Sequence, residues 1–178
     1  MKLKIFTIFA ACALFMTSCG GSKQLCKVSS PDGSAVIAVN AVAEGLPAFS
    51  VTIDGVCVLK DSKLGYSSAE GDVPGEGWKA AKAVKSSYDG VWNPVWGKRE
   101  TVVDKYNQAS VSFKKGEAAV TLEVRAYDDG VAFRFLNDKG EAVLNEVTEF
   151  NFAGDYTAWF YNGERHNIGP ELLSESDG

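Results

Sequence analysis

AVTLEVRAYDDGVAFRF, residues 119–135, decides the fold class of this chain. Apolar and polar side chains alternate on both sides of Asp128-Asp129-Gly130, and alternation with a period of two is typical of a β-strand with one buried face. Asp and Gly are residues that turns favour. The stretch therefore predicts two antiparallel strands joined by a short turn. Asp128 and Asp129 are interpreted as turn residues rather than paired catalytic carboxylates, because adjacent strand residues point to opposite faces.

The same pattern continues outward from this hairpin. Phe49–Ile53 alternates and is joined to Val56–Leu59 by Asp54-Gly55, which is a strong hairpin signal. Lys79–Ala83 contains strong helix formers, but it is too short for a domain helix. Further strands are predicted at residues 35–39, 83–88, 101–103, 110–113, 119–127, 131–135, 150–152 and 157–161. Short strands at this spacing predict an all-β fold, a sandwich or barrel of antiparallel sheet.

The N-terminus has the features of an exported lipoprotein. Lys2 and Lys4 precede an apolar run over residues 5–16, which is too short to cross a bilayer. Met16-Thr17-Ser18-Cys19 then has the form of a lipobox, in which Cys19 takes the lipid; an ordinary secretory signal with a chance cysteine is the alternative. Gly and Ser after the cysteine are typical of a flexible tether. The predicted layout is a signal peptide at 1–18, a lipidated tether at 19–26 and a β-sandwich domain at 27–178.

The composition limits the classes of partner. The mature chain is long enough for one domain with a real core. The net charge is −5 and no Lys/Arg-rich run is present, which argues against nucleic acid. Two cysteines, Cys26 and Cys57, remain after the predicted cleavage and lipidation. In an oxidising compartment they could pair, but two free thiols fit the sequence as well.

The densest group of polar residues with functional side chains lies near the C-terminus. His166 is the one histidine of the chain, so it has no partners for a zinc site, and no serine lies in a Gly-x-Ser-x-Gly motif. Glu164 and Glu171 flank it, and carboxylate and amide oxygens are the ligands that calcium prefers. From the residues alone, a solvated loop is the favoured interpretation of this stretch.

Trp92 and Trp96 flank a proline in the segment WNPVWGK, residues 92–98. If they are exposed, the two indoles could stack on sugar rings. If they are buried, they belong to the core of the sandwich or to a contact between domains. We expect core or domain-interface packing.

Three segments together resemble the N-terminal domain of family-97 glycoside hydrolases. They are Ser30-Pro31-Asp32-Gly33, the WNPVWGK segment running on to Tyr106-Asn107, and VRAYDDGVAFRF at residues 124–135. The last of these is the most specific. The resemblance extends over about residues 27–177, which is nearly the whole mature chain.

The resemblance implies a large antiparallel β-sandwich of the galactose-mutarotase-like kind. In that family the sandwich packs on a catalytic (β/α)8 barrel, and the enzymes are calcium-dependent exo-acting α-glucosidases or α-galactosidases that act on α-linked oligosaccharides. It also implies a calcium-binding glutamate after the aromatic strand at residues 158–161; Glu164 is the best match and Glu171 is the second. We expect a lipid anchor in the outer membrane, facing the periplasm.

The barrel would carry the catalytic carboxylates, and the pattern of this chain ends before one. We therefore expect a chain that is truncated before the barrel, a sandwich that is incomplete at its C-terminus, and no hydrolysis by this chain alone, since glycoside hydrolysis needs two positioned carboxylates. The alternative is a free-standing carbohydrate-binding outer-membrane lipoprotein.

Overall fold

The computed structural model describes residues 23–42, 46–137, 140, 142–161 and 167–176. In this part of the chain the regular structure is almost entirely antiparallel β-strand, with one short 3-10 helix at Leu173–Glu175. The strands are β1 Lys23–Ser29, β2 Ala35–Ala41, β3 Pro47–Ile53, β4 Val56–Lys63, β5 Tyr66–Ser68, β6 Gly71–Val73, β7 Lys79–Ala80, β8 Val84–Trp92, β9 Val102–Lys115, β10 Ala118–Tyr127, β11 Gly130–Leu136, β12 Asn145–Glu146, β13 Thr157–Tyr161 and β14 Asn167–Leu172.

Two main sheets face each other. Sheet 1 has the strand order β1-β2-β3-β4. Sheet 2 has the order β11-β10-β9-β7, and β8 also pairs with β9. A small sheet of β12, β5 and β6 and a separate hairpin of β13 and β14 complete the described strands. The predicted all-β, antiparallel sandwich is confirmed.

Tight turns join strands that are consecutive in the sequence, so these strands pair with each other. Asp54 and Gly55 join β3 to β4 with φ angles of 49° and 80°, which matches the right-handed twist of a hairpin. Asp128 and Asp129 join β10 to β11, because Tyr127 pairs with Gly130 across the turn. Both predicted hairpins are therefore confirmed.

The core lies between the two sheets. Alternate residues of β10 are fully buried, and those of β2 face them from sheet 1. Phe49 of β3 is the largest fully buried side chain, and its ring contacts Phe133 of β11 at a centroid distance of 5.3 Å. The period of two in the sequence thus separates a continuous apolar core from the polar outer faces.

The edge of sheet 1 beyond β4 is covered by an irregular segment, residues 144–153. Its backbone follows β4 and β5: the N–H of Ala153 donates to the carbonyl of Val58, and the N–H of Val147 donates to the carbonyl of Gly65. The prediction of a regular strand at residues 150–152 is therefore wrong: Phe152 forms a single isolated bridge, with Leu59. The segment still provides hydrogen-bond partners for backbone groups at the otherwise exposed edge of the sheet.

Three further expectations are corrected or decided. The folded part starts before the predicted boundary at residue 27, because β1 already pairs with β2 at Lys23. The segments predicted at 101–103 and 110–113 form one strand, β9. Cys26 and Cys57 are free thiols, one buried in β1 and one exposed in β4, and two strands of sheet 1 separate them. Within the described residues, no helix is long and apolar enough to cross a bilayer.

Candidate functional site

The predicted site residues fall partly outside the described structure. Cys19, Glu164 and His166 lie outside the described residues, as does the predicted signal peptide. Glu171 is described: it lies on β14, directly opposite Ala158 of β13, and is half-buried.

Glu171 does not share a face with the exposed aromatic residues of its hairpin. Directly paired strand residues lie on one face, so Glu171 faces the same way as Ala158. Trp159 and Tyr161, both well exposed, lie on the opposite face. Gly169 allows the two strands to approach closely, because a Cβ there would lie 2.5 Å from the carbonyl oxygen of Ala158.

The described residues do not by themselves fit a calcium ion. Calcium takes about 6 to 8 oxygen ligands. In the described ranges, no group of three or more His, Cys, Asp or Glu side chains is placed to hold a metal. Of the two predicted calcium ligands the structure describes only Glu171, which by itself would supply one carboxylate.

The two tryptophans of the WNPVWGK segment are not core residues. Trp92 is 53% exposed and Trp96 is 89% exposed. The prediction that they pack in the core of this domain is wrong, because Trp92 pairs with Val102 and points away from the core face of the edge strand β8, and Trp96 follows that strand in an irregular segment. The domain-interface alternative stays a prediction.

The outer end of β8 and β9 forms a two-stranded extension, which we call the overhang, residues 87–92 paired with 102–107. Val91 and Val103 pair directly and are 61% and 69% exposed. Their side chains point to the same face of the β8–β9 ribbon as those of Ala109 and Val111, which are fully buried in the core farther along β9. The overhang therefore carries two exposed valines on the core-side face of sheet 2, and the polar Asn107 and Lys105 lie on the same face between them and the buried residues.

The overhang is held by polar contacts close to sheet 1. The Asn107 side-chain amide donates to the carbonyl of Ser29 on β1 at 2.8 Å. Lys105 and Asp89 form an exposed ion pair at 3.5 Å between the two strands of the overhang. Such exposed pairs contribute little to stability, and this one joins the two strands of the overhang to each other, whereas the Asn107 hydrogen bond joins the overhang to β1.

The outer face of sheet 2 carries a row of three tyrosines, Tyr88, Tyr106 and Tyr127, one from each of three neighbouring strands. Tyr106 is central, with ring-centroid distances of 5.6 Å to Tyr88 and 5.1 Å to Tyr127. Arg125 lies over the Tyr106 ring, with its guanidinium carbon 4.0 Å from the ring centroid. We call these residues the tyrosine row.

A polar network borders the tyrosine row. The Nε of Arg125 donates to Gln108 Oε1 at 2.7 Å, and its Nη1 donates to the Tyr127 hydroxyl at 3.3 Å. On the next row, the Nε of Arg134 donates to Glu123 Oε2 at 2.7 Å. A shallow depression of about 100 Å³ lies among these side chains. This site was not predicted from the sequence, although the outward positions of residues 119–135 contain Glu123, Arg125 and Tyr127.

Two of the turns are joined directly. Asp128 Oδ1 accepts a hydrogen bond from the backbone N–H of Asp32 at 2.9 Å, and its carbonyl accepts from the Ser34 hydroxyl at 3.2 Å. Asp32 Oδ1 accepts from the Ser30 hydroxyl and from Ser34, and these hydrogen bonds hold the pKa of Asp32 well below its usual range. The two turn motifs thus meet at one end of the sandwich and are joined there by hydrogen bonds.

Comparison with known proteins agrees with this fold. The family model of the glycosyl-hydrolase 97 N-terminal domain matches residues 28–176. A retaining alpha-galactosidase from Bacteroides thetaiotaomicron is 29% identical over 158 residues, which are 88% of this chain and 23% of that protein.

Solved structures give the same result. A glycoside hydrolase family 97 enzyme from a Pseudoalteromonas strain, in complex with panose, superposes with a TM-score of 0.67 and 28% identity over 78% of this chain and 22% of its own. A beta-arabinopyranosidase superposes with a TM-score of 0.66 and 26% identity, covering 75% of this chain and 22% of its own. The chain therefore spans less than a quarter of the length of these relatives.

Proposed function

This chain belongs to the glycosyl-hydrolase 97 N-terminal family, and on that premise we propose that it is the non-catalytic β-sandwich domain of a larger exo-α-glycosidase, an α-glucosidase or α-galactosidase. Its role in this proposal is to support a catalytic (β/α)8 barrel and to complete the active site there. The observation that carries the proposal is the overhang, together with the length of the relatives, of which this chain spans only 22 to 23%.

The overhang is proposed to be the surface that the catalytic domain covers. A two-stranded ribbon is at best marginally stable by itself in water. Exposed apolar patches next to polar rims mark contacts with other domains. Val91 and Val103 form such a patch, and the Lys105–Asp89 ion pair lies beside it.

The test of the proposal uses the chain together with the polypeptide encoded directly downstream of Gly178. Two carboxylates positioned on either side of the scissile bond are needed for hydrolysis. We expect the extended protein to release nitrophenol from an α-glucoside or α-galactoside and the 178-residue chain to release none. Release by the chain alone, or an unrelated downstream sequence, would contradict the proposal.

The docking surface has its own test in the extended protein. Val91→Lys places a charge in the proposed contact, whereas Val84→Lys changes a similarly exposed valine on the same strand and the other face. We expect the first variant to lower the Tm of the extended protein and the second to leave it unchanged. Equal Tm values for the two variants would argue against docking at the overhang.

Calcium dependence is proposed only for the extended protein. Glu171, and Glu164 outside the described residues, are the ligands that this chain would contribute. Each would supply carboxylate oxygen to a hard cation. Binding of calcium should be measured by calorimetry in the extended protein and compared with Glu171→Gln and Glu164→Gln. If neither variant weakens the binding, these residues are not ligands.

We also propose attachment to the outer membrane through a lipid on Cys19, facing the periplasm. The support is the sequence: an apolar run of signal-peptide length that ends in a lipobox. Radiolabelled palmitate should label the protein in cells, and Cys19→Ala should abolish the label and release the protein from the membrane fraction. Antibody labelling of intact cells would instead indicate exposure at the cell surface.

A second candidate function is carbohydrate binding by the domain itself. The outer face of sheet 2 favours it, because exposed aromatic rings lie there beside planar hydrogen-bonding side chains. Ligand sites typically combine apolar or aromatic walls with a few well-placed polar groups. This function needs no catalytic domain, so the isolated chain is sufficient to test it.

A further inference from the structure

The geometry points to a carbohydrate-binding platform on the outer face of sheet 2, formed by Tyr88 and Trp92 as stacking surfaces and by Arg125 as the hydrogen-bonding group. We assign to it a neutral oligosaccharide of pyranose sugars. The inference deepens the second candidate function and rests on it, and it is independent of the proposed glycosidase role.

Tyr88 lies flat against the strand because Gly90 leaves room for it. A Cβ on Gly90 would lie 2.6 Å from the Tyr88 hydroxyl oxygen and 2.8 Å from its Cζ. The two residues are two apart on β8, so their side-chain directions coincide. The absence of a side chain at Gly90 therefore lets the Tyr88 ring cover that position. The ring remains 47% exposed, which leaves surface for a ligand.

Trp92 extends the same surface along β8. It pairs with Val102, whereas Tyr88 pairs with Tyr106, so both aromatic side chains are on the outer face. The Tyr88 ring lies over Gly90, which is two residues of strand, or about 7 Å, from Trp92, so the two side chains are near enough to contact one ligand.

Arg125 is held ready for the ligand before it binds. Its guanidinium is fixed by the Tyr106 ring, by Gln108 and by the Tyr127 hydroxyl. A guanidinium has five N–H donors in a planar fork, so a fixed arginine presents a rigid pair of donors. Vicinal hydroxyls of a pyranose match such a fork. Little side-chain freedom would be lost on binding, and this favours affinity.

The local charges favour a neutral ligand. Near the tyrosine row, Arg125 and Arg134 lie on this face with Glu123 and Asp104, whereas Lys79 and Lys114 are paired neighbours at the far end of β9. Glu123 already accepts hydrogen bonds from Arg134 and from Gln108. An anionic sugar would find no excess of positive charge, whereas hydroxyl groups can both donate to and accept from this network.

The experiment titrates the purified chain with maltotriose and with raffinose in a calorimeter, and trigalacturonate serves as the anionic probe. Saturable binding of at least one neutral sugar is expected. Gly90→Ala, which moves the Tyr88 ring, and Arg125→Lys, which keeps the charge but removes the fork, should each weaken it about tenfold, or about 1.4 kcal/mol. Tyr88→Ala should do the same.

Tyr161→Ala is the matched control, since Tyr161 is an exposed tyrosine on the separate β13–β14 hairpin. It should leave the affinity unchanged, and the Tm of each variant confirms that it is folded. The inference is overturned if neither neutral sugar binds, if only trigalacturonate binds, or if Tyr161→Ala weakens binding while the platform variants do not. None of these results bears on hydrolysis by the extended protein, so the two proposals fail separately.

Discussion

Phe49 is the residue at which the two sheets and the irregular segment at residues 144–153 meet, and its replacement by leucine tests how the core is held together. Its ring contacts Phe133 on sheet 2 at 5.3 Å with an interplanar angle of 53°. It also contacts Phe150 of the irregular segment edge-on, at a centroid distance of 6.0 Å and an interplanar angle of 84°. Phe49→Leu keeps a large apolar side chain but removes both ring contacts.

The expected cost follows from these contacts. Aromatic pairs add about 0.5–1.5 kcal/mol beyond the area that they bury. The pair with Phe133 lies within the sandwich, so we assign it about 1 kcal/mol; Phe150 is mostly exposed, so its pair is at the low end, about 0.5 kcal/mol. Phe49→Leu should therefore cost about 1.5 kcal/mol more than the same change at a buried phenylalanine without ring contacts.

Phe113 is that control. It is as buried as Phe49, on β9 of the same core, and makes no ring-to-ring contact within the described part of the chain. A volume-similar apolar exchange there should cost less than about 1.5 kcal/mol. The difference between the two variants corresponds to about 3–6 °C in Tm for a chain of this size.

Far-UV circular dichroism is the suitable probe for urea and thermal unfolding. Three of the four tryptophans, Trp92, Trp96 and Trp159, are exposed in the folded chain and only Trp78 packs against the core, so indole fluorescence would report mainly the surroundings of Trp78. If Phe113→Leu lowers the free energy of unfolding as much as Phe49→Leu does, the ring contacts of Phe49 add nothing to the stability beyond the area that the side chain buries, and the reasoning is refuted.

Three further predictions concern the hairpin, a turn and the thiols. Gly169→Ala should disrupt the β13–β14 hairpin, because its φ of 122° disfavours a side chain and the new Cβ would lie 2.5 Å from the Ala158 carbonyl oxygen; hydrogen exchange should increase in this hairpin and not in sheet 2. Asp32→Asn should destabilise the protein at neutral pH, and the difference from the unaltered chain should shrink below about pH 4, because a depressed folded-state pKa stabilises only above the unfolded value; urea unfolding at neutral and acid pH tests this, and a difference that grows toward acid pH would contradict it. Cys57 should react with Ellman's reagent in the folded protein and Cys26 only after unfolding, because burial raises the pKa of the Cys26 thiol and blocks access; a single slow phase for both thiols would be inconsistent with the structure.

The sequence was sufficient for the hairpins and the fold class, because their signals are local. Asp54-Gly55 and Asp128-Asp129 fix the turns, and the alternation on either side fixes which residues face the core. The segment at residues 144–153 could not be predicted in this way. It attaches to β4 through backbone hydrogen bonds, and these do not require an alternation of apolar and polar side chains that could be recognised in the sequence.

The candidate site depends on register between strands, which the sequence does not specify. Tyr88, Tyr106 and Tyr127 come from three strands, and only the pairing of β8, β9 and β10 makes them neighbours. The exposure of Trp92 has a similar cause. Alternation places Trp92 on the opposite face of β8 from Val91, but which of the two faces points away from the core follows only from the pairing of β8 with β9 and the packing of the two sheets.

The two faces of the overhang are physically linked. Val91 and Trp92 are neighbours on β8, so they lie on opposite faces of one ribbon. One face is the apolar surface proposed for the catalytic domain, and the other carries the proposed sugar platform. Any domain that covers Val91 and Val103 would also hold β8 against β9, and so would fix Trp92 relative to the Tyr88 ring. An exposed edge strand in an isolated domain would favour charged residues. Contacts on both faces of the ribbon would explain why this edge strand carries valine and tryptophan instead.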